Sequence, residues 1–166
     1  QAGAPTGPAS APPSDRAPPA EELSDEPAPR QRRVDIIRVD ETPGMMTLTF
    51  DRTPVNALFM SSFHALSELL TEAERRADLH VVLLRGAGDH LGAGGEVPVD
   101  PATHSFSEEY GVLLKTARSQ NLVITLADGT AGPNGFATPW AWAVGAHNGL
   151  LGASRIRVVT ERTRVM

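Results

Sequence analysis

Apolar and polar positions along this chain follow two rhythms, and the changes between them mark its elements. Val34 to Asp40 and Met45 to Phe50 are β-rich runs separated by Glu41-Thr42-Pro43-Gly44, a proline-glycine turn signal that predicts a hairpin. After Asp51-Arg52-Thr53-Pro54 the rhythm lengthens: Leu58, Phe59, Phe63, Leu66, Leu69, Leu70 and Ala73 share one face of a helix predicted from about Ala57 to Arg76. A strand over 80–85 centres on Val81-Val82-Leu83-Leu84, and a second helix begins at Ser105 or Ser107, carries Val112, Leu113, Leu114 and Ala117, and ends near Ser119. Leu122 to Leu126 suits a buried strand closed by Asp128-Gly129, and Arg157-Val158-Val159-Thr160 is strand-like again. Between them, Ala131 to Gly152 has little periodicity and yields no element. Strands that alternate with helices predict an α/β layered fold.

Composition divides the chain in two. Residues 1–33 are rich in Pro, Ala, Ser and Gly and nearly lack large apolar side chains, so this arm cannot offset its ordering entropy alone. It is expected to be disordered or to lie extended on a partner. Residues 34–166 are read as one domain. The net charge of −5 is spread as −1 on the arm and −4 on the body, which gives no general attraction to phosphate-rich or anionic surfaces. Arg155, Arg157, Arg162 and Arg164 form the one candidate basic patch, with a solvated strand face as the default and an RNA or acidic-partner contact as the minority reading. The absence of cysteine removes disulfides, thiolate metal sites and cysteine nucleophiles. No apolar run reaches the roughly 18 residues of a membrane span. The chain starts at Gln1, as a processed or partial chain would, and the five acidic residues of the arm are unlike an organellar transit peptide.

Candidate chemistry gathers at Gly86 to Glu96, directly after the 80–85 strand. Gly86, Gly88, Gly92, Gly94 and Gly95 allow the backbone to turn and to approach a ligand closely, the requirement for N–H donors aimed at an oxyanion. A long polar turn is the competing account. The histidines His64, His80, His90, His104 and His147 show no metal-ligand spacing, so no metal is expected. His64 is read as a solvated helix histidine and His90 as a loop histidine. Trp140 and Trp142 alternate and would face one side of an extended segment, as a partner interface or as local packing, with equal weight.

Several segments in this order resemble the crotonase (enoyl-CoA hydratase/isomerase) superfamily: Asp51-Arg52-Thr53-Pro54-Val55-Asn56-Ala57-Leu58 before the first helix, then Gly86-Ala87-Gly88 and Leu91-Gly92-Ala93-Gly94-Gly95-Glu96 after the next strand. Glu108-Glu109-Tyr110, Asp128-Gly129 and Arg157 to Thr163 are similar to the 3-hydroxyisobutyryl-CoA hydrolase branch. The resemblance covers roughly residues 34–166 and implies a partial crotonase-like fold of repeated ββα units. It also implies thioester chemistry, in which two backbone N–H groups polarise a carbonyl and carboxylates handle nucleophile and proton. The first donor would be Ala93 or a neighbouring glycine, Glu109 would match an acidic residue near the substrate, and a CoA thioester would meet Ala57, Gly94 and Gly95.

The resemblance also has gaps. Where the family has a compact glycine turn bearing the second donor, residues 131–149 form a divergent insertion, and Pro133 has no N–H to give. The family's usual catalytic carboxylates follow the Val158-Val159-Thr160-Glu161-Arg162-Thr163 strand, beyond Met166. Ala93, Gly94 and Glu109 are therefore expected to be vestigial, and no cofactor is expected. The favoured expectation is a non-catalytic structural subunit of a mitochondrial matrix assembly, first a mitochondrial ribosome and next a respiratory-chain complex. The alternative is the N-terminal part of an acyl-CoA thioester hydrolase or hydratase, with a CoA thioester as its ligand.

Overall fold

In the computed structural model the described residues are 30–52, 54–88, 90–95, 107–127, 141–143, 146–161 and 163–165. They build an α/β layer around a six-stranded mixed sheet ordered β1-β2-β3-β4-β5-β7. The strands are β1 (Arg30–Val34), β2 (Ile37–Thr42), β3 (Gly44–Phe50), β4 (Leu79–Gly86), β5 (Leu122–Ala127) and β7 (Ile156–Val159). β1, β2 and β3 are antiparallel neighbours, whereas β3, β4, β5 and β7 run parallel. Each parallel connection passes through a helix: α1 (Met60–Arg75), α2 (Ser107–Arg118) and α3 (Ala146–Ala153). Two short strands, β6 (Ala141–Ala143) and β8 (Thr163–Val165), pair in parallel in a separate sheet.

The core is the helix-covered face of the sheet. Met46, Leu48 and Phe50 from β3, Val82 and Leu84 from β4, and Val123 from β5 are fully buried, joined by Phe63, Leu66 and Leu70 from α1, Val112 from α2 and Leu150 from α3. Alternation in the strands and helical spacing in α1 thus deliver one contiguous apolar layer, the main source of stability. Lys115 ties the first two helices, donating from Nζ to Ser67 O at 2.9 Å, to Ser67 Oγ and to Thr71 Oγ1.

Three expectations change. The sheet begins at Arg30, so residues 30–33 belong to the folded body and not to the arm, and the run from Val34 to Asp40 is two strands. The chain reverses at Asp35-Ile36, between the paired residues Val34 and Ile37. Asp35 adopts the left-handed region at φ 53°, which an aspartate tolerates better than most residues. Its carboxylate accepts hydrogen bonds from Ser61 and Ser62 at 3.2 and 2.6 Å, fixing the turn against the start of α1. α1 itself begins at Met60, three residues after the predicted start, because Asn56 and Leu58 are engaged elsewhere. Finally, Ala146 to Ala153 within the unperiodic segment is a helix, held by burial of Ala146, His147, Leu150 and Leu151. The rest of the arm, and residues 131–140 and 144–145 of the divergent segment, lie outside the described residues.

Candidate functional site

The site grows from the C-terminal end of β4. Gly86 brings the chain back so closely that a Cβ there would fall 1.7 Å from the His90 carbonyl oxygen. Glycine is therefore required, and the loop folds over Asn56, which is fully buried with φ 51°. The Asn56 amide donates to Ala87 O at 2.9 Å and to His90 O at 2.8 Å, while its oxygen accepts the Arg52 N–H at 2.9 Å. One side chain thus joins the segment before α1 to the glycine stretch. The backbone completes the junction: Ala93 N–H donates to Val55 O at 2.8 Å, Leu58 N–H donates to Gly94 O at 2.9 Å, and Leu58 pairs with Gly95 in a β-bridge. Beside it the Arg52 guanidinium lies 3.7 Å from the Phe59 ring centroid.

His147, at the start of α3, enters this junction from the other side. Its Nδ1 accepts the Gly94 N–H at 3.1 Å. The ring is fully buried, stands at 87° to His147's neighbour Phe50 with centroids 5.0 Å apart, and has no hydrogen-bond partner at Nε2. A Cβ on Gly92 would lie 2.2 Å from the ring, so imidazole and glycine backbone are in direct contact. Burial alone pushes the His147 pKa down to about 3, so the imidazole is neutral. With Nδ1 accepting, the ring proton is on Nε2.

The predicted site residues separate. Ala57, Ala93, Gly94 and Gly95 do come together, because the segment before α1 is zipped to the glycine stretch. Two candidates for the first oxyanion donor have their N–H groups engaged within the chain, that of Ala93 by Val55 and that of Gly94 by His147. Glu109 is half-buried in the first turn of α2, and no hydrogen bond or ion pair joins it to the glycine stretch among the described residues. Arg155 donates to Ser119 O at 3.0 Å, and Arg157 to Leu151 O and Gly152 O at 3.0 and 2.8 Å, so both guanidinium groups serve carbonyls of this chain, those of Arg157 at the C-terminus of α3. Arg164 lies in β8 and Trp142 in β6, where they are register partners; their side chains, with Glu96, Trp140 and Arg162, lie outside the described residues. His90 is buried and His64 is exposed. Among the described residues no group of His, Asp and Glu is placed to hold a metal ion.

Sequence reasoning missed Asn56 and His147. For Asn56 a signal existed: asparagine is a residue that accepts positive φ, and it stands where strand pattern gives way to helix pattern. For His147 there was none, since its partner lies 53 residues away.

No protein-family model matches the chain. Over 123 residues, 71% of this chain and 44% of the relative, it is 30% identical to a (7aS)-7a-methyl-1,5-dioxo-2,3,5,6,7,7a-hexahydro-1H-indene-carboxyl-CoA hydrolase of Rhodococcus jostii (strain RHA1). Among solved structures it superposes on an enoyl-CoA hydratase from Bacillus anthracis with TM-score 0.64 and 22% identity, over 78% of this chain and 49% of that one. An enoyl-CoA hydratase/isomerase family protein from Silicibacter pomeroyi gives TM-score 0.64 and 19% identity, over 78% and 53%. The chain thus spans about half the length of the relatives it matches. The chain thus has the crotonase-like fold of enoyl-CoA hydratase/isomerase structures, and over most of its length its sequence is similar to that of a CoA hydrolase.

Proposed function

We propose that this chain is a non-catalytic crotonase-fold subunit whose thioester half-site is closed and whose role is structural. The observation that carries the reading is the zipper between residues 55–58 and 93–95: the Ala93 N–H, which the resemblance would make the first donor, is held by Val55 O at 2.8 Å. A donor already bonded in the ground state contributes little to a developing oxyanion, because catalysis depends on interactions gained only in the transition state. Of the residues that would meet a CoA thioester, Gly94 and Gly95 are joined by the zipper to Leu58, the residue after Ala57. A large assembly is the proposed setting, with a mitochondrial ribosome as the first candidate and a respiratory-chain complex as the next.

A second reading is favoured by the 30% identity to a CoA hydrolase: the chain is the N-terminal part of an acyl-CoA thioester hydrolase or hydratase. The test is a calorimetric titration of acyl-CoA thioesters into the complete natural polypeptide, with size-exclusion chromatography of native extract. The structural reading expects no heat of binding and stoichiometric elution with a large complex. Saturable binding with thioester turnover by a free monomer contradicts it.

A further inference from the structure

A second feature of the same region goes beyond whether the chain turns over a thioester. Histidines retained in a core for packing are normally matched at both ring nitrogens. His147 is matched at one, and that one faces a glycine N–H. The ring is held by three surfaces: the Gly94 N–H at 3.1 Å, the Cβ-free backbone of Gly92, and Phe50 at a centroid distance of 5.0 Å. Together they accept a flat, neutral body with one hydrogen-bond acceptor at its edge. Nothing in them is specific to imidazole.

We propose that His147 is the built-in occupant of a binding site, in which the Gly94 N–H, Gly92 and Phe50 seat a small planar acceptor group, either an azole nitrogen or the carbonyl oxygen of an ester, thioester or amide. The site is filled from within in the resting protein. An external acceptor reaches Gly94 only when His147 withdraws. Withdrawal is aided by the unmatched Nε2–H, which gains a hydrogen bond on leaving its buried position. The site is therefore closed by an autoinhibitory contact made by the first turn of α3.

The experiment uses the full chain with His147→Gly and imidazole as the probe, read by thermal unfolding and by the Gly94 amide resonance. Imidazole should raise the melting temperature of the variant saturably, leave the unsubstituted protein unchanged, and move the Gly94 amide signal downfield. Pyrrole, a ring of the same size without an acceptor nitrogen, should not move that signal. Equal stabilisation by pyrrole, or imidazole binding that leaves the Gly94 signal in place, would overturn the proposal, as would no imidazole binding by a folded variant. If His147→Gly does not fold, His147→Asn and His147→Leu replace it. The asparagine oxygen can accept from Gly94 and leucine cannot, so Gly94 amide exchange should be about tenfold slower in the asparagine variant; equal rates reject the seat.

Discussion

Gly94 and His147, 53 residues apart, meet through one hydrogen bond of 3.1 Å from the glycine N–H to Nδ1. This contact joins the loop after β4 to the first turn of α3, and it removes from solvent the donor that the glycine stretch would offer a ligand. The neutral state of the imidazole is a condition of the contact, since a protonated Nδ1 would set one donor against another.

Substitution of Gly92 tests the contact sterically. A Cβ at this position would lie 2.2 Å from His147 Nε2, well inside van der Waals range, so Gly92→Ala forces the ring or the loop to move. The expected loss is about 1–3 kcal/mol in chemical denaturation, the range for overpacking a filled interior. Removing the ring relieves the clash: Gly92→Ala added to His147→Ala should cost about 1 kcal/mol or more less than the two single losses combined.

Acid should weaken the fold through His147. Its pKa is about 3 in the folded chain against 6.5 in the reference state, so below about pH 6.5 the unfolded chain binds the proton that the folded chain refuses. The stability is fully present above pH 6.5 and falls as pH drops toward 3, by on the order of 1.4 kcal/mol per pH unit in the middle of that window. Denaturant midpoints measured between about pH 7 and 4 should show this slope, and His147→Asn should lack it.

Asn56 is the other fixed point. Asn56→Ala removes the hydrogen bonds to Ala87 O and His90 O and leaves at φ 51° a residue that tolerates the left-handed region less well than asparagine, for an expected loss of about 2–4 kcal/mol. Asn56→Gly relieves the backbone and not the hydrogen bonds, so it should be about 1 kcal/mol milder than the alanine variant. Equal losses would show that the backbone conformation contributes nothing.

The regular parts of this fold were legible because each carries its own local pattern. Leu122 to Leu126 alternates between buried and half-buried positions, and the Phe63 to Ala73 spacing marks the covered face of α1. β1 was hidden because Arg30, Gln31, Arg32 and Arg33 are exposed on an edge strand, where backbone pairing to β2 and side-chain bonds such as Arg33 to Asp51 replace apolar burial. α3 was hidden because Gly149 and Gly152 interrupt its helical pattern, and a Cβ on Gly149 would fall 2.8 Å from Leu113. The glycine stretch was legible as a place of close backbone approach. What approaches it was not, since Val55 and His147 are specified by tertiary contact alone.

Lys115 offers a test of how the helices are joined. Its acceptors, Ser67 O, Ser67 Oγ and Thr71 Oγ1, are all neutral. Lys115→Met should cost about 1–2 kcal/mol, with little change between low and high salt. Arg76, which binds the carboxylates of Glu41 and Asp78 at 2.7 and 2.6 Å, should behave differently: the cost of Arg76→Met should shrink as salt is added. Unfolding of both variants at two ionic strengths separates the cases.

The central claim, a half-site closed within the chain, is tested most directly by following the Gly94 amide resonance of the complete natural polypeptide while an acyl-CoA thioester is added. The closed site predicts a signal that stays in place up to thioester concentrations that saturate active relatives, with His147→Gly required before any shift appears. A saturable shift in the unsubstituted protein, accompanied by thioester hydrolysis, would contradict it.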